Sequence, residues 1–181
     1  MERVDYKAYF LSQHPDFFAR EYVKNIPEGE AYEEMALDLK RFQPGDAPLP
    51  KPEGVSFGWY DGPNDALVQA VEKVEKAWVK YYGPESKGIY CAMKDGRVAS
   101  FCTIEAMGEF AGLRFAGPGC VGTVPEFRRQ GIGLYMVRNA TLILKDQGYD
   151  VSYIHYTGVG HWYARLGYET VLRWDKNGFR D

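Results

Sequence analysis

The stretch that decides the fold is Val124-Pro125-Glu126-Phe127-Arg128-Arg129-Gln130-Gly131-Ile132-Gly133. Before it, Cys120-Val121-Gly122-Thr123-Val124 is β-branched and short, as a strand would be. After it, Ile132, Met136, Ala140, Ile143 and Leu144 recur at helical spacing, with Asn139, Lys145 and Asp146 off that stripe. Gly148 stands where such a helix needs a residue tolerant of positive φ to stop. The stretch therefore reads as strand, tight turn, helix.

A helix N-terminus carries unpaired backbone N–H groups and the positive end of the helix dipole. Glycine lets a phosphate come close to those groups. Arg128 and Arg129 add positive charge beside the same spot. From the residues, the turn is a pyrophosphate cradle or else an ordinary strand-to-helix loop with surface arginines. Other phosphate loops fit less well. A P-loop needs Gly-x-x-x-x-Gly-Lys-Ser/Thr, and no such run occurs. A dinucleotide fingerprint needs a third glycine where Met136 stands.

Outward from the turn, the pattern stays regular back to Val55. Val55 to Tyr60 reads as a strand, and Asp61 to Asp65 as a turn with Asn64 or Asp65 capping a helix. Ala66 to Tyr82 is amphipathic: Leu67, Ala70, Val71, Val74, Ala77 and Trp78 share a face, and Gly83-Pro84 ends it. Gly88 to Met93 and Arg97 to Ala106 form a hairpin about Asp95-Gly96. Gly108 to Gly119 is glycine-rich and patternless. Val151 to Tyr156 reads as a strand, Gly160 to Leu166 as a short helix and Tyr168 to Trp174 as a strand. The order predicts a mixed α/β sheet.

Residues 1–50 are set apart as an N-terminal extension, with 51–181 as the main domain. Tyr6 to Val23 is aromatic-rich. Glu30 to Phe42 fits a helix or, because Met35, Leu37 and Leu39 alternate with polar neighbours, a strand. The prolines between Gln43 and Gly54 mark a linker.

A net charge of −3 gives no support to a nucleic-acid or membrane partner. No apolar run approaches the ~20 residues of a spanning helix, and the first residues lack a signal-peptide core. Cys91, Cys102 and Cys120 are odd in number and lie inside expected strands, so they read as buried small hydrophobes in a reducing cytoplasm. With His14, His155 and His161 they show no metal-ligand spacing, so no metal is expected.

Val124 to Gly133 resembles the acyl-CoA-binding signature of the GNAT family of N-acetyltransferases, (Gln/Arg)-x-x-Gly-x-(Gly/Ala), with Arg128, Gly131 and Gly133 at the defining positions. Trp162 to Tyr168 resembles the family's Tyr-x-x-Leu-Gly-Phe segment, with Tyr168 in place of Phe. The resemblance covers roughly residues 55–175. It implies the GNAT fold, in which the strand before the cradle splays from the strand at Val151 to Tyr156. It also implies acetyl-CoA as cosubstrate and transfer of the acetyl group to a small-molecule or peptide amine. A non-catalytic acyl-CoA-binding module on the same fold is the alternative.

By the same resemblance, Arg128, Arg129, Gln130, Gly131, Ile132 and Gly133 hold the pyrophosphate. Thr123 and Val124 offer main-chain bonds to the pantetheine arm, and Tyr163 acts as general acid toward the leaving sulfur. Tyr156 and Thr157 lie where the family often has an Asn, which makes Tyr156 the cofactor contact there. Such chemistry also needs a base, because an alkylammonium has a pKa of ~10.4 and must lose a proton to attack. Glu105 and His155 are the candidate bases. Glu109 stands beside them, His161 is a weaker one, and ordered water is another route. Family members usually finish with a further strand. Here Asn177-Gly178 offers the turn, and either the sheet edge is bare or a strand from residues 1–50 or from a second subunit of a homodimer covers it.

Overall fold

The computed structural model describes residues 4–46 and 48–180. Residues 1–3 of the expected extension, and Ala47 of the expected linker, lie outside that set. Eight strands form a single mixed sheet: β1 (Tyr32–Asp38), β2 (Val55–Trp59), β3 (Ile89–Lys94), β4 (Arg97–Phe110), β5 (Leu113–Thr123), β6 (Val151–Thr157), β7 (Glu169–Asp175) and β8 (Gly178–Arg180). Their order across the sheet is β2-β3-β4-β5-β6-β1-β7-β8. The helices are α1 (Tyr6–Gln13), α2 (Glu21–Lys24), α3 (Asn64–Glu72), α4 (Ile132–Asp146) and α5 (Gly160–Ala164).

The choice left open for residues 30–42 resolves as strand. β1 runs antiparallel to both β6 and β7 and lies inside the sheet. The N-terminal segment thus supplies an inner strand, and β8 forms beyond the Asn177-Gly178 turn.

Three expectations about these elements are corrected. The amphipathic run from Ala66 is not one helix. It breaks after Glu72, because Glu75 is extended (φ −156°) and its carboxylate caps the Ala77 N–H at 2.9 Å, starting a 3-10 turn over Lys76–Tyr81. The N-cap of α3 is Pro63, not Asn64 or Asp65. Gly108 to Gly119 is not irregular either. It completes a long β4–β5 hairpin that turns at Ala111-Gly112, both at positive φ (50° and 73°), as a tight two-residue hairpin turn requires.

β5 and β6 are parallel and pair at Phe115–Val151 and Ala116–Ser152. Beyond those pairs the strands carry a break each, Cys120 at φ 45° and Tyr156 at φ 56°. A wedge opens between their C-terminal ends. Successive strand side chains point to opposite faces. Accordingly, Tyr153 packs against Tyr9 of α1, while Ile154 packs with Leu134 and Val137 of α4. α1 and α4 therefore cover opposite faces of the wedge.

Candidate active site

A cavity of about 580 Å³ lies at the mouth of the wedge on the α4 side. Thr123, Arg128, Arg129, Gly131, Ile132 and Gly133 line one wall. Tyr163, Trp162, His161 and Arg165 line the other, with Val121 and Val159 between. Two stretches of sequence, the turn before α4 and the short helix α5, thus meet at one site.

The two glycines do different work. Gly131 is the N-cap of α4 at φ 74°, a conformation that other side chains strain to adopt, and a Cβ there would point into open space. No side chain caps the helix, so its first N–H groups are open to an anion from the cavity. Gly133 is buried, and a Cβ on it would sit 2.5 Å from Thr123 Oγ1 and 3.4 Å from the Trp162 ring. Its missing side chain serves helix–strand packing rather than phosphate access. Beneath it, the Ser100 hydroxyl donates to the Gly122 carbonyl at 2.6 Å and pairs with the Thr123 hydroxyl at 3.0 Å.

Thr123 and Val124 also separate. The Val124 N–H donates to Ala99 O at 3.0 Å, its carbonyl accepts from the Phe127 N–H at 2.9 Å, and its side chain is buried. Its main chain is committed within the protein. Thr123 lies opposite Ser100, and with its neighbour bonded to Ala99 it occupies a non-hydrogen-bonded ladder position. Its N–H and carbonyl therefore face the wedge, where the carbonyl accepts from Arg128 Nε at 3.0 Å. Gln130 turns away: Lys94 Nζ donates to its Oε1 at 2.5 Å. Among the described residues no carboxylate pairs with Arg128, Arg129 or Arg165. Three guanidinium groups at one cavity, with an uncapped helix start, suit a polyanion.

Arg165 and His161 were not singled out as ligand contacts from the sequence. The signal was present, since they flank Tyr163 one helical turn apart. Tyr163 itself is buried against Trp162 and Tyr168, and burial, followed by Tyr168, holds its phenol above the usual range. It stays protonated at neutral pH, as a proton donor must. The direction is not special to this residue, because burial raises Tyr9, Tyr82 and Tyr153 too. The extra hydroxyl of Tyr168, where the signature has Phe, is used: it bonds Ser152 at 2.6 Å and Thr141 at 2.9 Å.

The remaining candidates lie elsewhere. Glu105 is exposed on β4, near enough to Cys120 and Tyr82 to raise both. Tyr156 does not line the cavity. Its ring packs among Tyr32, Trp174 and Tyr22, because the positive φ in β6 turns it toward the N-terminal aromatics. His155 lies on the α1 side, with its Nδ1 at 3.0 Å from Glu34 of β1 and its ring stacked on His14 at 4.1 Å. Burial and, secondarily, Glu105 push the Cys120 thiol up to about 11. Among the described residues no group of three or more His, Cys, Asp or Glu could hold a metal ion. No described helix is long and apolar enough to cross a membrane.

A family model for the acetyltransferase (GNAT) domain matches residues 85–170, the span from β3 to β7 that holds both walls of the cavity. That match covers just under half of the chain, and the sheet has the GNAT fold. Similar solved structures include a GCN5-related glucosamine N-acetyltransferase region of a fungal multi-domain GH3 β-N-acetylglucosaminidase, with TM-score 0.68 and 19% identity over 96% of this chain and 23% of that one. A GCN5-related N-acetyltransferase from Sphaerobacter thermophilus has TM-score 0.61 and 18% identity, covering 96% of this chain and 56% of its own. A tandem GNAT protein from the clavulanic acid biosynthesis pathway has TM-score 0.58 and 22% identity, covering 83% of this chain and 52% of its own. The chain thus spans from about a quarter to just over half the length of these neighbours. No curated protein matches the sequence.

Proposed function

We propose that the protein is an acetyl-CoA-dependent N-acetyltransferase that works in the cytoplasm on the amine of a small molecule or peptide. The observation that carries this reading is the cavity shared by the Arg128–Gly133 turn and Tyr163. The diphosphate fits the uncapped start of α4 with Arg128, Arg129 and Arg165 around it. Thr123 presents main chain to the pantetheine arm in strand-like pairing. Tyr163 protonates or hydrogen-bonds the leaving thiolate, whose parent thiol has a pKa of ~8.5. The phenol is the weaker acid of the two, so its hydrogen bond to sulfur counts for at least as much as full transfer. Transfer is direct, because Cys120, the thiol nearest the wedge on β5, is held protonated by its raised pKa and is a poor nucleophile.

The test has two stages. Calorimetric titration with acetyl-CoA should show one site per chain, and no heat of binding would remove the transferase reading. A thiol-release assay over an amine panel should then find an acceptor. Amino sugars belong in the panel, given the neighbour named for glucosamine acetylation. Binding without release for any amine favours the non-catalytic acyl-CoA module. Intact-protein mass spectrometry after mixing with acetyl-CoA alone should show no acetylated cysteine.

A further inference from the structure

The strongest feature outside the cavity is Glu34. It is fully buried in β1, yet its carboxylate accepts from Trp174 Nε1 at 2.8 Å and Tyr156 N at 3.1 Å and lies 3.0 Å from His155 Nδ1. The register explains how one carboxylate reaches them. Glu33 pairs with Thr157 and Met35 with Ile154, so two residues of β6, His155 and Tyr156, oppose the single Glu34. This is a β-bulge, a device that re-aims side chains at functional edges.

We propose that Glu34 is a positioning residue that holds His155 in the Nδ1–H tautomer, leaving Nε2 to take the proton from the acceptor amine. The proposal rests on the transferase reading above. His155 lies three residues beyond Ser152, the last β6 residue paired to β5, and so borders the open wedge. Its ring is a quarter exposed (25%) and packs with Phe10, Phe17 and His14 on the α1 face. Tyr163 packs with Ile154 on the α4 face. Base and acid therefore approach the wedge from opposite sides. That arrangement lets one group take the amine's proton while the other serves the leaving sulfur. Glu105, the other candidate base, is exposed on β4, and among the described residues no hydrogen bond or ion pair orients its carboxylate.

The step balances as follows. Nε2 takes the ammonium proton. The freed lone pair forms the C–N bond, and the C–S pair leaves on sulfur, which receives the Tyr163 proton. The second nitrogen proton restores the Tyr163 phenol, and His155 releases its proton to solvent. The titratable groups facing His155 are Glu34 on β1, Tyr156 beside it and His14 at the end of α1, with Arg20 near His14. Burial, His155 and Arg20 push His14 down to about 4, so it stacks as a neutral ring and does not compete for the proton near neutral pH.

The test uses the full chain, with Glu34→Gln, Glu34→Asp and His155→Gln. Nitrogen-15 histidine NMR should find His155 as the Nδ1–H tautomer in the wild type and lose that preference in Glu34→Gln. With the best amine of the panel, Glu34→Gln and His155→Gln should each lower kcat by about 10²-fold, with little change in KM for acetyl-CoA and partial rescue in Glu34→Asp. The double variant should be no slower than the worse single one. An Nε2–H tautomer in the wild type, or turnover within twofold of wild type in either Gln variant, overturns the proposal. If Glu34→Gln unfolds at assay temperature, His155→Gln, whose ring is part-exposed, decides. Wild-type protein that binds no acetyl-CoA overturns the transferase reading, and with it this one; wild-type turnover that survives both substitutions overturns this one alone.

Discussion

The two sides of the wedge are built by different means. On the β5 side, everything that lines the cavity between Thr123 and Gly133 is contiguous in sequence. On the β6 side, His155 takes its partner from β1, 121 residues away, and Glu33 of the same strand sits against Gly160, where α5 begins. A phosphate grip made of one turn and one helix start needs only its own backbone and is portable. A proton route made of side chains needs a second strand to hold them. β1 does so at three adjacent positions: Glu33 against α5, Glu34 on His155, and Met35 in the cluster that contains Tyr163.

The largest effect should therefore come from the β1 side. Trp174 is fully buried, donates to Glu34, and packs on Phe17 at 4.9 Å and Tyr156 at 4.8 Å. Trp174→Ala opens a cavity and leaves Glu34 short of a donor. It should cost about 3–5 kcal/mol in denaturant unfolding. A cost below about 1 kcal/mol would mean that the β1–β7 layer adds little to the fold.

Next in size is Tyr163→Phe, which should lower kcat by roughly 10²-fold and leave acetyl-CoA affinity nearly unchanged. Equal turnover would take the phenol out of the chemistry and reduce α5 to a wall.

The two glycines sharpen the β5 side. Gly133→Ala must displace the Thr123 hydroxyl from a contact of 2.5 Å, so overpacking of about 1–3 kcal/mol and a clear fall in acetyl-CoA affinity are expected. Gly131→Ala meets no atom and carries only the left-handed penalty, about 1–2 kcal/mol. Calorimetry should rank Gly133→Ala as the more damaging to affinity; the reverse order would return both glycines to phosphate access.

The smallest effect is a pH dependence. The folded-state pKa of His14, about 4, lies below the ordinary value of ~6.5, so the unfolded chain binds this proton first. Stability should fall as pH drops from ~6.5 toward 4 and then level off for this group. Glu126, Asp150 and Asp175 are held below the usual carboxylate range, and their contributions are lost only at lower pH, under ~4. Melting curves of His14→Gln should be flatter than wild type between pH 6.5 and 4; identical slopes would show that the stacked pair is not coupled to folding.

This contrast also sets how much could be read beforehand. The strand, turn and helix around Arg128 to Gly133 were legible because their signals are local: periodicity, a glycine cap and adjacent arginines. Tyr163 was reached because its neighbours form a recognisable block. Glu34 was not, since a carboxylate in the middle of a buried strand runs against the usual burial of residue types and is explained only by three partners distant in sequence, Trp174, Tyr156 and His155. The full β4–β5 hairpin was missed because its turn puts Ala111, a residue type that seldom marks such a turn, at positive φ, and because the pairing slips between Ala106 and Glu109. The split between Thr123 and Val124 depends on ladder register, which sequence does not state.

The central claim is that the turn before α4 grips the diphosphate of acetyl-CoA. Amide NMR of the full chain during titration with CoA tests it most directly. The account predicts shifts concentrated at the N–H groups of Thr123 and of Arg129 to Leu134, with competition from adenosine 3′,5′-bisphosphate. Shifts absent there, or clustered instead in the groove between β2 and α3 around Trp59 and Gln69, would contradict it.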